Sequence, residues 1–483
     1  MKARFALFVV AVACVAALAF ADDGLARVQR QQVLRWGGDV QGGEPYAYQD
    51  AHDSRHLIGF EVEIADALAR RLGVKAEFVQ NDWSTLIPSL ERGDFDVAMN
   101  GLEVTAARRS RVAFSDPYYA FEETLVVRRD DSAVQGLDDL DDKRVGTLAN
   151  SMAHEILRAR RLEVVLYEGV EEPYIDLEGG RLAAVLLDNV IAERYGLVRP
   201  ALRKAATAGS GVYAIALRRD EPELLTALND ALRDMRRSGE LQAILTRWHL
   251  WDERQATATS LPTAASESAP ALTATHLILF LRAAAATVFI SSLAMLLAVI
   301  GGLGLSLLRR YGARSAQLAA QIYIEVFRGT PVLLQLYVLY YGLAPVLTLN
   351  AFTAAVLGLG LNYAAYEAEL YRAGLDAVPV GQNEAALALG MSRRLALRRI
   401  ILPQAVRIAL PGVANDFIAL LKDSSLVSVI TVVELTKQMT ITAVDLRSWL
   451  VPGALCAALY MALSFPLSRL ARRLERRLSP VSR

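Results

Sequence analysis

The sequence predicts two folds in one chain: a soluble domain of alternating strands and helices, then a domain made only of membrane-crossing helices. Three observations support this. Residues 22–252 are rich in charge, strand-like and helix-like segments alternate there, and apolar runs long enough to cross a bilayer follow. Averages hide the division, because the 483 residues have mean hydropathy +0.27 and no net charge.

The first 21 residues predict a secretory signal peptide. Lys2 and Arg4 precede an apolar stretch, Phe5–Phe20, and Ala19-x-Ala21 supplies a cleavage site. We therefore expect residues 22–252 to lie outside the cytoplasm. The chain has only two cysteines, one of them in this segment, so no disulfide framework is predicted. The five histidines show no metal-ligand spacing, and no metal site is predicted.

Residues 22–252 predict two lobes. The expected strands are 33–36, 75–79, 97–99, 123–127, 144–146, 164–167 and 185–188. The expected helices are 60–72, 86–92, 154–161 and two within 222–245. The chain passes between the lobes near 119–122 and again near 207–212. Two lobes joined by two crossings predict a clamshell that closes on a ligand by hinge motion.

Ordered motifs in this domain resemble those of periplasmic polar-amino-acid-binding proteins, over nearly all of residues 33–250. They are Gly59-Phe60-Glu61-Val62-Glu63-Ile64-Ala65, Trp83 before Leu86-Ile87-Pro88, Gly93-Asp94-Phe95-Asp96-Val97-Ala98, Thr105-x-x-Arg108, and Phe114-Ser115-Asp116-Pro117-Tyr118-Tyr119. The resemblance implies an α/β periplasmic-binding-protein clamshell of type II with an amino acid in the cleft.

The resemblance also implies roles for four residues. A free amino acid needs a cation for its carboxylate and an anion for its ammonium group. Arg108 matches the family's carboxylate-binding arginine, and Asp188 its ammonium partner. Trp83 matches an aromatic that packs on the ligand, and Ser151 a hydroxyl at a helix N-terminus. The alternatives are a surface arginine, a helix cap at Asp188 and a core position for Trp83.

Gly101, Glu103 and Asp39 complete the predicted ligand-binding set. Glu103 stands where the family commonly has a small hydroxyl residue. Its carboxylate has two available partners, a cationic ligand side chain or Arg108 itself. A polar or basic amino acid is therefore favoured, and its identity is left open.

Two further departures from the family pattern lie in cleft loops. The loop Gly37–Tyr46 lacks the tyrosine or phenylalanine expected near Gly42, so half of the usual aromatic sandwich is predicted to be missing. Asn150 and Met152 replace a glycine and a threonine around Ser151, which removes one expected hydroxyl.

Residues 253–275 predict a flexible linker, because they are rich in Ala, Ser, Thr and Pro and have no apolar periodicity. Such a chain spans about 25 Å on average. It would keep the binding domain near the membrane at an effective concentration on the order of millimolar.

Residues 276–483 predict a membrane domain of five helices. The expected spans are Ala283–Leu308, Leu318–Leu343, Asn350–Leu370, Ile408–Val432 and Trp449–Leu470. With an exported amino-terminal domain, five crossings place the carboxyl terminus in the cytoplasm. The arginine-rich segments then lie inside, as the positive-inside rule requires.

The segment 372–407 joins the third and fourth predicted spans and carries a spaced motif. The motif consists of Glu384, Ala385, Ala386, Gly390, Leu402 and Pro403. A helix is expected to break at Gly390, restart at Ser392 and stop at Pro403, which would make a stiff bent loop. The spacing resembles the cytoplasmic coupling loop of ABC-importer permeases, which fits a groove on the ATP-hydrolysing subunit. The resemblance implies an all-α type I ABC-importer transmembrane domain.

Charged residues inside predicted spans are costly unless they face protein or a pathway. Glu367, Lys422 and Asp423 are candidates for a substrate route. The alternative is that Lys422–Asp423 and Glu325–Arg328 form structural ion pairs.

The whole sequence contains no G-x-x-x-x-G-K-S/T motif, so it has no P-loop to cradle ATP. We therefore expect no cofactor on this chain, and ATP and Mg on a separate cytoplasmic ABC ATPase subunit. Five helices resemble half of a translocation pathway, so a second permease subunit, as a homodimer, is expected. The expected location is the bacterial inner (cytoplasmic) membrane, and no nucleic-acid partner is predicted.

Two other functional classes fit part of the sequence. A ligand-gated channel or membrane-anchored receptor also joins a clamshell to membrane helices, but an arginine-rich coupling loop has no role in it. An enzyme would need an acid and a base in the cleft, for which Glu103 is the single candidate. No catalytic residue is therefore predicted.

Overall fold

The computed structural model describes residues 24–50, 52–53, 56–257, 261, 272–344, 346–446 and 448–478. The predicted signal peptide and most of the predicted linker lie outside these ranges. The chain divides into two compact units, Met1–Ser268 and Ala269–Arg483.

The first unit is built around one mixed sheet. Its strands β1 to β10 are Val33–Gly38, Tyr48–Gln49, Leu57–Ile58, Lys75–Gln80, Val97–Ala98, Ala113–Arg128, Arg144–Leu148, Glu163–Tyr167, Ala184–Asp188 and Leu202–Leu217. Eight of them pair in the order β4-β1-β5-β10-β6-β9-β7-β8, and β2 pairs with β3. We call β4, β1 and β5 with their helices the first lobe, and β9, β7 and β8 with theirs the second lobe.

Ten helices cover this sheet. Helices α1 to α10 are Gly24–Gln31, Phe60–Leu72, Leu86–Arg92, Ala106–Arg109, Met152–Ala159, Glu172–Glu178, Asn189–Ile191, Pro222–Arg237, Glu240–Arg247 and Glu253–Thr257. Helix α2 shows why the sequence folds this way locally. Phe60, Ile64 and Leu68 recur on one face and are fully buried, and the helix ends at Gly73 in the left-handed conformation.

The long strands β6 and β10 belong to both lobes. Each has 16 residues, and they pair antiparallel with Phe121 opposite Gly211. Strand β10 then pairs with β5 of the first lobe, and β6 with β9 of the second. The predicted crossings at 119–122 and 207–212 lie within these two strands. The strand expected to begin at 123 instead begins at Ala113, because the chain stays extended through the crossing.

The segment after the last large helix is held against β6. The side-chain amide of Gln255 accepts a hydrogen bond from Ala120 N–H and donates one to Ala120 C=O, both at 2.8 Å. Gln255 is buried and lies in α10. The prediction of a linker beginning at residue 253 is therefore wrong at its start. The sequence pattern missed this contact because it depends on one polar side chain and not on apolar periodicity.

We predict that Gln255→Ala lowers the free energy of unfolding of residues 24–257 by about 2 kcal/mol, because two hydrogen bonds to Ala120 are lost. Urea denaturation measures the change. Glu253→Ala in the same short helix is the control, since this side chain is exposed and its removal should matter little. Equal stability of Gln255→Ala and the parent fragment would contradict the prediction.

The second unit is helical in its described residues. Helices α11 to α19 are Ala274–Tyr311, Arg314–Gly329, Val332–Tyr337, Ala351–Asp376, Val380–Ala388, Arg393–Ala396, Leu402–Asp423, Leu435–Asp445 and Leu450–Leu478. Among the described residues, two stretches are long and apolar enough to cross a membrane, α11 and the Leu450–Arg473 part of α19. The total rises to three if α12 and Val332–Gly342 are taken as one broken span. Five spans remain a prediction.

The second predicted span, Leu318–Leu343, is wrong as a straight helix. The chain bends by 107° between Gly329 and Val332. Pro331 has no N–H to continue the helix, which explains the break. Gln335 stabilises the bend, since its side chain donates to Phe327 O at 3.0 Å and Thr330 O at 3.2 Å.

The fourth predicted span, Ile408–Val432, also differs from the structure. Its α-helix ends at Asp423 and continues as a 3-10 turn, Ser424–Ile430. The short helix α18 that follows was not predicted, and Lys437 within it is buried.

Helices α11 and α14 pack closely through small residues. A Cβ added to Gly302 would lie 2.5 Å from the Cβ of Glu367, and one added to Gly360 would lie 2.7 Å from a methyl group of Leu297. Glycine at these positions therefore lets the backbones approach, as small residues do between membrane helices.

Candidate ligand-binding cleft and coupling loop

The first unit contains a cleft between its two lobes. Six of the seven predicted ligand-binding residues line it: Asp39, Trp83, Gly101, Glu103, Ser151 and Asp188. The structure brings these residues together from distant parts of the chain. The seventh, Arg108, lies behind the lining.

Arg108 makes its contacts within the protein. Its Nη1 donates to the Glu103 carboxylate at 3.1 Å and to Glu103 C=O at 2.9 Å. Its Nη2 donates to Asn150 O, in the second lobe, at 2.7 Å. The guanidinium lies 4.8 Å from the centre of the Trp83 ring. Arg108 is thus neither a free surface arginine nor, in this conformation, open to a ligand.

Glu103 connects the two lobes. Its Oε2 accepts from Arg108 in the first lobe and, at 2.8 Å, from Met152 N–H at the start of α5 in the second. The side chain is almost completely buried. Burial raises the pKa of Glu103, and the Arg108 charge acts in the opposite direction. The sequence left two partners possible for the Glu103 carboxylate, a cationic ligand side chain or Arg108. In the structure its partner is Arg108.

Asp188 lies at the end of β9 and has two roles in the structure. Its Oδ1 accepts from Ile191 N–H at 3.0 Å, which caps α7, and from the Tyr46 hydroxyl at 3.2 Å. It also lines the cleft. The cap and the cleft position are therefore compatible. Burial raises the pKa of Asp188.

Ser151 caps helix α5 and uses its hydroxyl within the protein. Its Oγ accepts from His154 N–H at 3.1 Å and donates to Leu148 O at 2.9 Å. Asn150 before it has φ +64°, a conformation that glycine favours and asparagine tolerates. This explains how asparagine stands at the family's glycine position.

Asp39 and Gly101 shape the first-lobe wall. Asp39 accepts from Trp83 N–H and Gln41 N–H, each at 2.9 Å, so its carboxylate holds two loops together. Gly101 has φ +60°, and a Cβ there would lie 2.6 Å from the Tyr46 ring. A larger residue at Gly101 would displace this ring.

Tyr46 lines the cleft although the sequence analysis did not select it. Its hydroxyl contacts Asp188 and lies 3.0 Å from the Tyr213 hydroxyl, and its ring packs against Phe60. The loss of half of the aromatic sandwich near Gly42 stays a prediction. The sequence analysis also missed other lining residues: Asn100, Leu148, Glu168, Val170, Leu187 and Ile191. Asn100 and Leu187 are adjacent in sequence to the predicted residues Gly101 and Asp188, which is the one signal that could have found them.

We predict that Arg108→Ala lowers the free energy of unfolding of residues 24–257 by about 3 kcal/mol, because it leaves the buried Glu103 carboxylate without its cation. The double variant Arg108→Ala/Glu103→Ala should lose less, since no unpaired charge remains. Urea denaturation measures both. Equal losses in the two variants would contradict the pairing.

The buried carboxyl group of Glu61 is expected to make the stability of the binding domain depend on pH. It accepts from Gly101 N–H at 2.6 Å and from the Tyr118 hydroxyl, and burial raises its pKa from 4.5 to about 7. A group whose pKa is higher in the folded than in the unfolded state contributes its full stabilisation at pH values below its unfolded-state pKa. This stabilisation is lost as the pH rises through its folded-state pKa. Stability should therefore fall by about 3 kcal/mol between pH 4.5 and pH 7. Denaturation across this range should show a flatter profile for Glu61→Gln. Parallel profiles would contradict the assignment.

The predicted coupling loop contains two short helices. Glu384, Ala385 and Ala386 lie in α15, which ends before Gly390 with φ +80°. Ser392 caps α16, with its side chain accepting from Leu395 N–H at 3.3 Å. The predicted break and restart are confirmed.

The predicted stop at Pro403 is wrong. A π-helical turn, Leu397–Ile401, leads directly into α17, which begins at Leu402. Pro403 lies in the first turn of this helix, directly after the π-helical turn, and the helix continues through it.

Charged residues of the helical unit do not form the two ion pairs considered. Within the described residues, Arg328 stacks over Tyr366 at 5.4 Å, and Asp423 accepts from the Tyr363 hydroxyl at 2.7 Å. Glu367 is fully buried against α11. Near the carboxyl ends of α11 and α14, Glu369 pairs instead with Arg309 and, at 2.8 Å, with Arg372.

Glu434 is a buried polar group that the sequence analysis did not select. Its carboxylate accepts from Thr436 N–H at 2.9 Å, Lys437 N–H at 2.8 Å and the Tyr460 hydroxyl at 2.9 Å. These contacts cap α18 and join it to α19. An acidic residue before a short helix is the signal that could have found it.

Comparison with known proteins decides the family. Residues 35–250 match the bacterial extracellular solute-binding proteins, family 3, and residues 294–480 match the inner membrane component of binding-protein-dependent transport systems. The chain belongs to the amino-acid ABC importers. It joins a binding domain and a permease domain in one polypeptide, and it is a transporter subunit rather than an enzyme.

Relatives match each half of the importer. The probable amino-acid permease protein YxeN of Bacillus subtilis (strain 168) is 45% identical over 156 residues, 32% of this chain and 70% of that protein. The octopine transport system permease protein OccM of Rhizobium radiobacter is 40% identical over 191 residues, 37% of this chain and 78% of that protein. The lysine/arginine/ornithine-binding periplasmic protein of Escherichia coli (strain K12) is 33% identical over 221 residues, 43% of this chain and 84% of that protein.

Proposed function

We propose that this chain mediates ATP-driven import of a polar amino acid, with a basic one favoured, across the bacterial inner membrane. The chain binds the substrate and forms the translocation pathway, and a separate ABC ATPase subunit hydrolyses ATP with Mg. The single observation that carries the substrate preference is the acidic lining of the cleft.

Four carboxylates line the cleft: Asp39, Glu103, Glu168 and Asp188. Within the described part of the chain, no lysine or arginine joins them. A ligand that brings positive charge offsets the cost of placing these acids together in a confined site. The same part of the chain has no group of three or more His, Cys, Asp or Glu side chains suited to a metal ion. An organic cation is therefore the better match, and one relative is named for binding lysine, arginine and ornithine.

The coupling loop supports the use of a separate ATPase. Helices α15 and α16 meet at an angle set by Gly390, and exposed arginines surround the turn: Arg393, Arg394 and Arg399. A short, rigid, charged element of this kind can transmit a push from a partner protein to the membrane helices. We propose that it docks on the ATPase subunit at the cytoplasmic face.

The proposed cycle has four steps. A ligand closes the clamshell, and the closed domain docks on the outer face of a permease homodimer. ATP binding closes the ATPase subunits and moves the coupling loops, so that the pathway opens outward and receives the ligand. ATP hydrolysis then resets the pathway inward. Glu367, Lys422 and Asp423 are the groups we assign to the route.

The direct test is uptake by proteoliposomes that contain this chain and its ATPase subunit. We expect uptake of radiolabelled lysine, arginine or a related polar amino acid only when ATP and Mg are enclosed on the coupling-loop side. Binding without any ATP-dependent uptake or ligand-stimulated ATP hydrolysis would favour the alternative, a membrane-anchored amino-acid receptor.

Two glycines in the coupling loop provide a matched pair of substitutions. A Cβ added to Gly390 or to Gly381 meets no other atom within 4 Å, but Gly390 has φ +80° and Gly381 is helical. Alanine at Gly390 costs about 1 kcal/mol or more in this conformation, so we expect ligand-stimulated ATP hydrolysis to fall about fivefold. Gly381→Ala should leave it unchanged, and ligand binding should be normal in both variants. Equal activities would contradict the role of this turn.

A further inference from the structure

The Glu103 carboxylate occupies the position in which a ligand carboxylate would be expected. A guanidinium and the free N–H groups at a helix N-terminus are the donors that suit a carboxylate. Here those donors are Arg108 Nη1 and Met152 N–H, and both contact Oε2 of Glu103, at 3.1 Å and 2.8 Å. The protein thus supplies its own carboxylate to the pair of groups.

The remaining contacts of Arg108 strengthen this arrangement. Its Nη2 donates to Asn150 O at 2.7 Å, and its planar group lies against Trp83, so the guanidinium is held on several sides. Arg108 is 8% exposed and does not line the cleft. A ligand carboxylate would have to displace the Glu103 carboxylate from Arg108. The Glu103 carboxylate has the advantage of a high effective concentration, because the chain tethers it beside Arg108.

The charge around the cleft acts in the same direction. Glu103 and Asp188 line it, and the fully buried Glu123 lies directly behind them on β6, paired with Asp188 in the sheet. Negative charge on Glu103 and Asp188 adds to burial in raising the pKa of Glu123. Among the described residues, no ion pair involves Glu123, and Arg108 pairs with Glu103. A further carboxylate in the cleft would be repelled, whereas a cation would be attracted.

We propose that Glu103 replaces a substrate carboxylate, so that the cleft selects compact organic cations without a free carboxylate, such as alkyl diamines and guanidinoalkylamines. This inference rests on the proposed ATP-driven import and changes its preferred substrate from a basic amino acid to the amines and amides derived from one. Glu103 is then the residue that determines specificity. Asp188 and the other lining acids hold the cationic ends.

Calorimetry on the full chain in lipid nanodiscs tests the proposal with matched ligands. Lysine is compared with 1,5-diaminopentane and with lysine amide, and arginine with agmatine. We expect each carboxylate-free ligand to bind at least about tenfold more tightly than its parent amino acid, since one unfavourable charge contact is worth about this much. In Glu103→Ser, Arg108 and the α5 N-terminus become available, so the order should reverse in favour of the amino acids.

Two controls separate specificity from folding. Glu155→Ser removes an exposed acid from the first turn of the same helix α5 and should keep the wild-type order. Glu103→Gln keeps the shape of the side chain and should weaken the preference while the thermal transition is retained.

Tighter binding of the amino acids than of their amines by the wild-type protein would overturn the inference and leave the proposed import of amino acids intact. An unchanged order in Glu103→Ser with a normal thermal transition would also overturn it. Absence of binding by every ligand would overturn both the inference and the proposed preference for basic substrates.

Discussion

The binding domain depends on one buried carboxylate that both lobes share. Glu103 comes from the first lobe, pairs there with Arg108, and accepts a backbone N–H from Met152 in the second. An acid can be buried in this way only because a cation and an N–H group offset its lost hydration. The lobes therefore meet through a charged contact in addition to their apolar packing. An apolar contact tolerates sliding, but this contact requires specific donors and so defines one closed position.

Different constraints operate in the helical unit. Close approach of α11 and α14 depends on glycines, and polar side chains satisfy backbone groups where a helix is interrupted. Gln335 does this at the bend before α13, and Glu434 does so at the start of α18. In a membrane environment an unpaired backbone group is costly, so a broken helix needs such side chains nearby. Gln335 and Glu434 are accordingly placed at interruptions of this unit.

Much of the binding domain could be predicted from the sequence. Helices α2 and α3 lie at the predicted residues, because apolar periodicity and a following glycine define both ends locally. Six residues that line the cleft, among them Glu103 and Asp188, were predicted as well, through motif positions. The contacts were not, because the pairing of Glu103 with Arg108 and Met152 depends on the closure of two distant segments. Tyr46 was missed for a related reason, since loop geometry decides which of several neighbouring side chains enters a cleft. Pro331 and Pro403 show the limit most clearly: proline breaks one helix and begins another, and only the surrounding hydrogen bonds distinguish the two cases.

The attachment of Gln255 to Ala120 has a mechanical consequence. Ala120 belongs to strand β6, which passes between the lobes where the sequence predicts the hinge. Points near a hinge move least when two bodies rotate. The segment leading toward the membrane thus leaves the binding domain at a point that is displaced little when the lobes rotate. Rotation of the lobes then pulls little on the segment that connects the two units. A pull on that segment likewise exerts little torque on the lobes. Attachment to the helical unit and ligand binding are in this sense mechanically independent.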